Sequence, residues 1–401
     1  MATLTAPPAA VVSYRRSSPR PSSTETGALL PALRTRCASR RDSNAIGAPS
    51  SRRSGADSAL RRVLCRATDV GTRTEVAGFP SFIPEDIFEI GDDAALAMAR
   101  RYQRADIQTD LRAAPLRTAF VPPPAEVASA AKGASDDDAA ARGAALPVCL
   151  LAGFDSSALE WRRLHPKLSA AGAEAYALDL LGWGFTGNVG EIESYGPEAK
   201  REHLLQFWRQ EMGGRPMVLV GASLGGSAAI DFAHAHPDKV ALLVLVDAQG
   251  YIDGIGPMAE MPRFLADIGV AVLKTKWLRN QANQMAYYDT ESYGTEDALK
   301  IGRLHCMVDG WQESIVRWMQ SGGYTVRPLI PDVTTKTLVV WGSEDQIVEP
   351  ATAERFREDM QDVRVEYIDN CGHTAHLECS ETLCELIMTF MEEHAPPGSE
   401  G

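Results

Sequence analysis

No stretch of this 401-residue chain approaches the roughly 18 to 20 uninterrupted apolar residues of a membrane-spanning helix. The best run, Val240 to Val246, stops at Asp247 and reads as a buried strand. The seven cysteines contain no zinc-type C-x-x-C pair. With Cys37 and Cys65 set aside in the N-terminal segment, the remainder (Cys149, Cys306, Cys371, Cys379, Cys384) is an odd number, which argues against a disulfide framework and for scattered reduced thiols. The first 66 residues lack lysine altogether and are poor in acids. An Arg-rich, Ser-rich, acid-poor start has the composition of an organelle transit peptide, so residues 1–66 are expected to stand outside the fold. Composition alone does not separate chloroplast from mitochondrion.

That segment sets twelve arginines against Glu25, Asp42 and Asp57, a charge near +9 in a chain whose total is −13. The remainder therefore carries about −22. Such a charge argues against nucleic acid as a partner. It would also repel an anionic membrane surface, unless a local apolar or basic patch overrides the average. With 45% apolar and 23% charged residues the chain has enough hydrophobic content for one large α/β domain with an insertion.

Residues 67–146 read as a leader. The proline-punctuated FPSFIPEDIFEI is followed by a helix-like run from Asp92 to Ala105, a short strand from Leu116 to Val121, and three prolines at 122–124. An Ala/Gly/Asp-rich tract through Ala145, including Asp136-Asp137-Asp138, is expected to be a solvated loop. From Pro147 apolar runs alternate with helical stretches, the pattern of a mostly parallel sheet with helices on both faces. The strands expected are Val148–Leu151, Ala173–Leu178, Met217–Val220, Val240–Val246, Thr337–Trp341 and Val363–Ile368. Helices are expected at Pro197–Met212, Leu224–His236, Ala351–Met360 and Ser380–His394. The core thus occupies residues 147–247 and 333–395. Residues 248–332 are too long for a simple crossover and are expected to form a helical cap.

The chemistry starts at Gly221-Ala222-Ser223-Leu224-Gly225. This G-x-S-x-G follows an apolar strand and opens a helical run, where a sharp turn presents a serine hydroxyl above the sheet. Alone, such a turn can be purely structural. A serine needs a base to take its proton and an acid to orient that base. Asp345 lies in WGSEDQIV behind one strand, and His373 in NCGHTAHLE behind the next. The chain order Ser, Asp, His is that of the α/β-hydrolases. Oxyanion donors are expected from the backbone N–H of Leu224, after the nucleophile, and of Phe154 in LAGFDSS.

Rivals exist. Asp247 also ends a strand and is the second choice of acid; His376 is the rival base, placed where a packing histidine is the plainer reading. Glu344 reads as a solvated neighbour of Asp345, and His165, His203, His234 and His236 as structural members of helical runs. Gly182, Gly184 and Gly187 have the spacing G-x-G-x-x-G, but Trp183 and Phe185 between them favour a structural turn over a nucleotide cradle. No cofactor or metal is called for. In the cap Met258, Met261, Phe264, Trp277, Met285, Tyr287, Tyr288, Trp311, Trp318 and Met319 either line a chamber for a long hydrocarbon chain or glue the cap helices together.

From about Phe79 onward the chain resembles the plastid α/β-hydrolases of photosynthetic eukaryotes, related to chlorophyll dephytylase and to a hydrolase of tocopherol synthesis. The motifs that carry the likeness are GFDSSALEWRRL, LDLLGWGF, AKREH, GRPMVLVGASLGG, IGRLHCMVDGW with SGGYTV, WGSEDQIV and NCGHTAHLE. The resemblance implies a plastid address, with peripheral contact with plastid membranes. It also implies hydrolysis of a lipophilic ester, with the phytyl ester of chlorophyll as leading candidate. It maps nucleophile, acid and base onto Ser223, Asp345 and His373. The chain departs from the family at three places: Ala152 stands where a histidine is usual before the oxyanion-loop glycine, Glu378 is followed by Cys379 rather than proline, and the Asp-rich tract is long. The same elements leave open a catalytically weak lipid- or pigment-binding scaffold, and acyl transfer or C–C bond hydrolysis on the same triad. A serine at the elbow argues against haloalkane and epoxide chemistry, which want a carboxylate there.

Overall fold

Asp92 opens the first regular helix by accepting a hydrogen bond from Ala95 N at 2.9 Å, so that α1 spans Asp93–Arg100. The helical run expected to reach Ala105 stops there. In Arg104–Ile107 polar and apolar residues alternate with a period of two, and Gln103–Ile107 forms edge strand β1, antiparallel to β2 (Leu116–Val121). Behind the three prolines the expected loop is partly helical: α2 covers Ala125–Lys132, where alanine supplies the propensity that an apolar period does not. The remaining elements follow in order: β3 (Val148–Leu151), α3 (His165–Ala170), β4 (Ala175–Leu178), α4 (Pro197–Gln210), β5 (Met217–Ala222), α5 (Leu224–Ala235) and β6 (Val240–Val246). The helical cap then contributes α6 (Arg263–Leu273), α7 (Lys276–Ala286), α8 (Thr290–Tyr293), α9 (Glu296–Leu304) and α10 (Trp311–Gln320). The chain returns through β7 (Thr337–Gly342), α11 (Thr352–Asp359), β8 (Val363–Ile368), α12 (Ala375–Glu378) and α13 (Ser380–His394). These coordinates are a computed structural model that describes residues 78–132, 146–186 and 192–394. The expected transit segment, Met1 to Arg66, the Asp136-Asp137-Asp138 tract and Gly187 lie outside the described residues.

The eight strands make one sheet in the order β1-β2-β4-β3-β5-β6-β7-β8, antiparallel at β1, β2 and β4 and parallel from there on. Strands β3, β5, β6 and β7 read as unbroken apolar runs because both faces are covered. Alternate residues go to opposite cores. Leu219, Leu243, Leu245 and Trp341 meet Phe207 of α4, Ile230 and Phe232 of α5, and Phe356 of α11. Val218, Val220, Val244 and Val340 meet Met98 of α1, Leu168 of α3, and Ile387 and Phe390 of α13. Each such side chain, fully withdrawn from water, contributes about 1.5–3 kcal/mol. The strand order reverses at β3, with β4 on one side and β5 on the other, and the crevice beyond their carboxyl ends is where an open α/β sheet places ligands.

Candidate active site

Strand β5 ends at Ser223, whose backbone takes φ 51 and ψ −122. A non-glycine residue in this region costs about 1–3 kcal/mol and is held by its surroundings. Here Ser223 N donates to Val246 O of β6 at 3.0 Å, and Ser223 O accepts from Gly226 N and Gln249 N, each at 2.9 Å. The two elbow glycines make the turn possible. A Cβ on Gly221 would lie 2.3 Å from Gly225 O, and one on Gly225 2.3 Å from Leu151 O at the end of β3. Only bare backbone lets strand, helix and neighbouring strand approach this closely.

The loop after β3 passes directly over the serine. A Cβ on Gly153 would stand 3.3 Å from Ser223 Cβ. Among the described residues neither Phe154 N nor Leu224 N donates to a protein acceptor, so both amides remain available beside the hydroxyl. The loop is tied down twice. Gly153 N donates to Glu160 Oε2 at 3.2 Å, and Asp155, turned at φ 48, buries its carboxylate under the cap. Asp155 Oδ1 accepts from Trp311 Nε1 at 2.7 Å and lies 3.0 Å from His305 Nε2, while Oδ2 accepts from Arg279. Burial pulls against ionisation, but His305, Arg279 and Trp311 outweigh it and hold the Asp155 carboxyl below its usual range. Burial likewise opposes the charged His305 ring, yet Cys306 and Asp155 beside it push it up to about 10. Asp155, His305 and Cys306 are close enough together to hold a metal. The guanidinium of Arg279 already sits against both Asp155 and Cys306, so the cation position is filled by the protein itself.

Asp345 and His373 come together as a bonded pair. His373 Nδ1 lies 2.8 Å from Asp345 Oδ2, and Asp345 Oδ1 accepts from Ile347 N at 2.7 Å and Val348 N at 3.0 Å. Burial disfavours the imidazolium, but the bond to Asp345 and the charges of Asp345 and Glu160 prevail and raise His373 above the ordinary histidine value. Ser223 and His373 line one cavity of about 320 Å³ together with Gly153 and Phe154. No hydrogen bond joins Ser223 to His373 among the described residues; in ligand-free sites such contacts commonly close only around the reactant.

The rivals are placed elsewhere. Asp247, wholly buried at φ 47, accepts from Gly342 N at 2.7 Å and from Ala375 N at 3.4 Å, bracing the ends of β6 and β7 against the histidine loop. Burial pushes its carboxyl up to about 8, with Asp345 adding to the shift, so near neutral pH it is an uncharged acid unfit to stabilise an imidazolium. His376 lines the cavity, packs on Trp161 with ring centroids 4.7 Å apart, and has both ring nitrogens unpaired. Burial depresses it to about 3, so it stays neutral. His165 bonds to Ala175 O at 2.9 Å, and His203 spans Thr118 Oγ1 at 2.7 Å and Leu181 N at 3.0 Å. Gly182 and Gly184, both at positive φ, pack around Tyr195 and the buried Asp179, which accepts from Phe185 N and Ala158 N at 2.7 and 2.6 Å.

Of the ten cap residues expected to line a chamber or glue the cap, Tyr287 lines the cavity, Trp311, Trp318 and Met319 are core, Met261 is half-buried against that core, and Met258, Phe264, Trp277, Met285 and Tyr288 are exposed. Trp318 stacks on Phe154 at 4.9 Å. Sequence reasoning missed Asp155, Arg279 and His305, which join the oxyanion loop to the cap, and Glu160. The signal for Asp155, Glu160 and His305 lay in the motifs GFDSSALEW and IGRLHC, where charged residues sit inside apolar surroundings; Arg279 had none. All five described cysteines are free.

Residues 144–380 match the family model described as serine aminopeptidase, S33. The alpha/beta hydrolase domain-containing protein VTE7 of Arabidopsis thaliana is 34% identical over 315 residues, 78% of this chain and 90% of that protein. The chain belongs to the α/β-hydrolase family. This α/β-hydrolase is also 26% identical, over 61% of its length and 86% of the relative's, to a 2-hydroxy-6-oxononadienedioate/2-hydroxy-6-oxononatrienedioate hydrolase of Paraburkholderia xenovorans. A solved thermophilic esterase from Thermogutta terrifontis superposes with a TM-score of 0.58 at 20% identity, covering 73% of this chain and all of that one.

Proposed function

We propose that this hydrolase cleaves a lipophilic carboxylic ester through an acyl-enzyme, with Ser223 as nucleophile, His373 as base and then acid, and Asp345 as its orienting partner. The observation that carries the reading is the strained Ser223 sharing one cavity with the Asp345-bonded His373. His373 removes the hydroxyl proton as Ser223 Oγ attacks the ester carbon, and returns it to the departing alcohol. The oxyanion that forms is held by the amides of Phe154 and Leu224. Water then repeats the attack on the acyl-serine and releases the acid. Asp345, bonded to His373 Nδ1, keeps that proton in place and stabilises the imidazolium.

The cavity walls support a lipophilic substrate class. Phe154, Ala282, Ala286, Leu299, Ile301 and Leu377 give the lining its apolar part, beside polar and charged groups that include Glu160, Arg162, Arg279, Asn283 and His376. About 320 Å³ lies at the small end of ligand sites and suits a prenyl-like or acyl segment rather than a tetrapyrrole ring. With the phytyl ester of chlorophyll as substrate, the macrocycle would stay at the mouth, beside the exposed Phe154 and Ile347. The Arg-rich segment 1–66 and the kinship to a plant protein support a plastid address.

A fluorophosphonate probe tests the reaction. Labelling of the intact protein that vanishes in Ser223→Ala is expected; labelling that survives it, or none at all, overturns the assignment. Mass spectrometry of products from chlorophyll, galactolipid and short acyl esters then sorts ester hydrolysis from acyl transfer, from C–C cleavage and from binding without turnover.

A further inference from the structure

Helix α6 reads RFLADIGVAVL, and its charges, Arg263 and Asp267, lie close together on the wheel. A helix apolar nearly all round belongs in an interior. Yet α6 buries only Ala266 and Val270 and turns Phe264, Leu265, Ile268 and Val272 outward, with Phe264 64% and Ile268 60% exposed. These four positions fall within about a third of the wheel, forming a continuous ridge. Trp277, 69% exposed at the start of α7, extends it.

We propose that this ridge docks the protein on a lipid bilayer. Three observations select that occupant. The ridge is made of five side chains, against the roughly 20 to 30 residues per side of a stable protein interface. The charged residues nearest Trp277 in the chain are Lys274, Lys276 and Arg279, all basic in a protein that is otherwise strongly acidic, as interfacial segments require at headgroup level. And α7, which carries Trp277 in its first turn, continues along the cavity wall through Arg279, Ala282, Asn283 and Ala286. A lipophilic molecule leaving the bilayer at the ridge is therefore handed to the helix that lines the site. The docking itself rests on the ridge alone and not on the proposed chemistry.

Co-sedimentation of the full-length chain with neutral phosphatidylcholine vesicles tests it, because the arginine-rich N-terminal segment has no charge attraction to them. Wild type and Ser223→Ala are expected to bind equally, with a blue shift of tryptophan emission. The triple variant Phe264→Ser, Ile268→Ser, Trp277→Ser is expected to lose at least tenfold in partitioning while keeping its turnover of a water-soluble short-chain ester. That second readout shows that the variant is folded; should it instead fail to fold, Ile268→Glu alone is expected to weaken binding several-fold. Equal sedimentation of wild type and folded variant overturns the proposal. So does a wild type that ignores the vesicles and forms a dimer that the ridge substitutions dissociate. If vesicle binding holds and no ester is cleaved, the proposed function fails and the docking surface stands.

Discussion

The sheet and the cap handle apolar side chains in opposite ways. In β5 and β6 every second residue enters one core and the rest enter the other, so the strands are satisfied by this chain alone. In α6 one apolar side is buried and the other faces outward. A strand run such as Val240–Val246 leaves one arrangement open, whereas a helix like α6 is completed by something outside the fold. The two regions meet at Asp155, where the loop that leaves β3 is bonded to Trp311, His305 and Arg279 of the cap. The sheet supplies the reacting groups and their strain; the cap holds one wall of the site in register.

Substitutions at the sheet end should affect chemistry most. Ser223→Ala is expected to reduce turnover by roughly 10⁵-fold or more, with stability little changed because the Cβ and the backbone contacts remain. Activity measured beside urea unfolding separates the two effects; a loss below about tenfold would remove Ser223 from the chemistry. Next comes the contrast between two carboxylates on adjacent strand ends. Asp345→Asn should cost roughly 10⁴-fold in kcat by destroying the His373 tautomer, with little loss of stability. Asp247→Ala, which leaves Gly342 N and the Ala375 loop without their acceptor, should instead cost about 1–3 kcal/mol of stability. The reverse pattern would make Asp247 the triad acid.

The pH dependence sharpens the same contrast. His373 acts as a base only when neutral, and its carboxylate neighbours raise it. The acidic limb of kcat/KM is therefore expected above the ordinary histidine value of about 6.5, and it should move down in the residual activity of Asp345→Asn. For stability the sign is opposite in use. The His373 contribution is fully present below the unfolded value and is lost as pH rises through the folded one. Asp247, held up at about 8, resists ionisation in the fold, so it too makes stability fall as pH rises from the unfolded aspartate value toward 8. An acidic limb at or below about 6 would contradict the carboxylate cluster around His373.

The core was legible because central parallel strands must be apolar on both faces, and Val148–Leu151 and Val240–Val246 end where their runs end; the edge strand Val363–Ile368 shows instead an alternating pattern. The order Ser, Asp, His placed three residues at strand ends, and the fold brings Asp345 and His373 into contact. What escaped were features set by distant partners. The edge strand β1 hides behind a helix-like composition and is made by pairing with β2. Asp155 bonds to residues about 120 to 150 positions away, a distance no local pattern encodes. The cap aromatics look alike in sequence, yet Trp318 is core and Trp277 stands in solvent. Only packing decides between them.

The smallest expected effect concerns the place where the chain departs from its relatives. Ala152 leaves the oxyanion loop without the usual histidine, and here Gly153 N is held by Glu160 Oε2 from the short helical turn that follows. Glu160 touches no reacting atom, so it is a positioning residue: it fixes Gly153, and through it the neighbouring Phe154 amide. Glu160→Gln keeps an acceptor oxygen and should lower kcat about two- to threefold. Glu160→Ala removes the acceptor and should lower kcat about tenfold with KM nearly unchanged, because the lost alignment matters mainly when negative charge develops on the oxygen. Glu160 also lies near His376 and contributes to raising His373, so Glu160→Ala should shift the acidic limb slightly downward. A purely structural role would lower stability and leave both the kcat-to-KM split and the limb where they are.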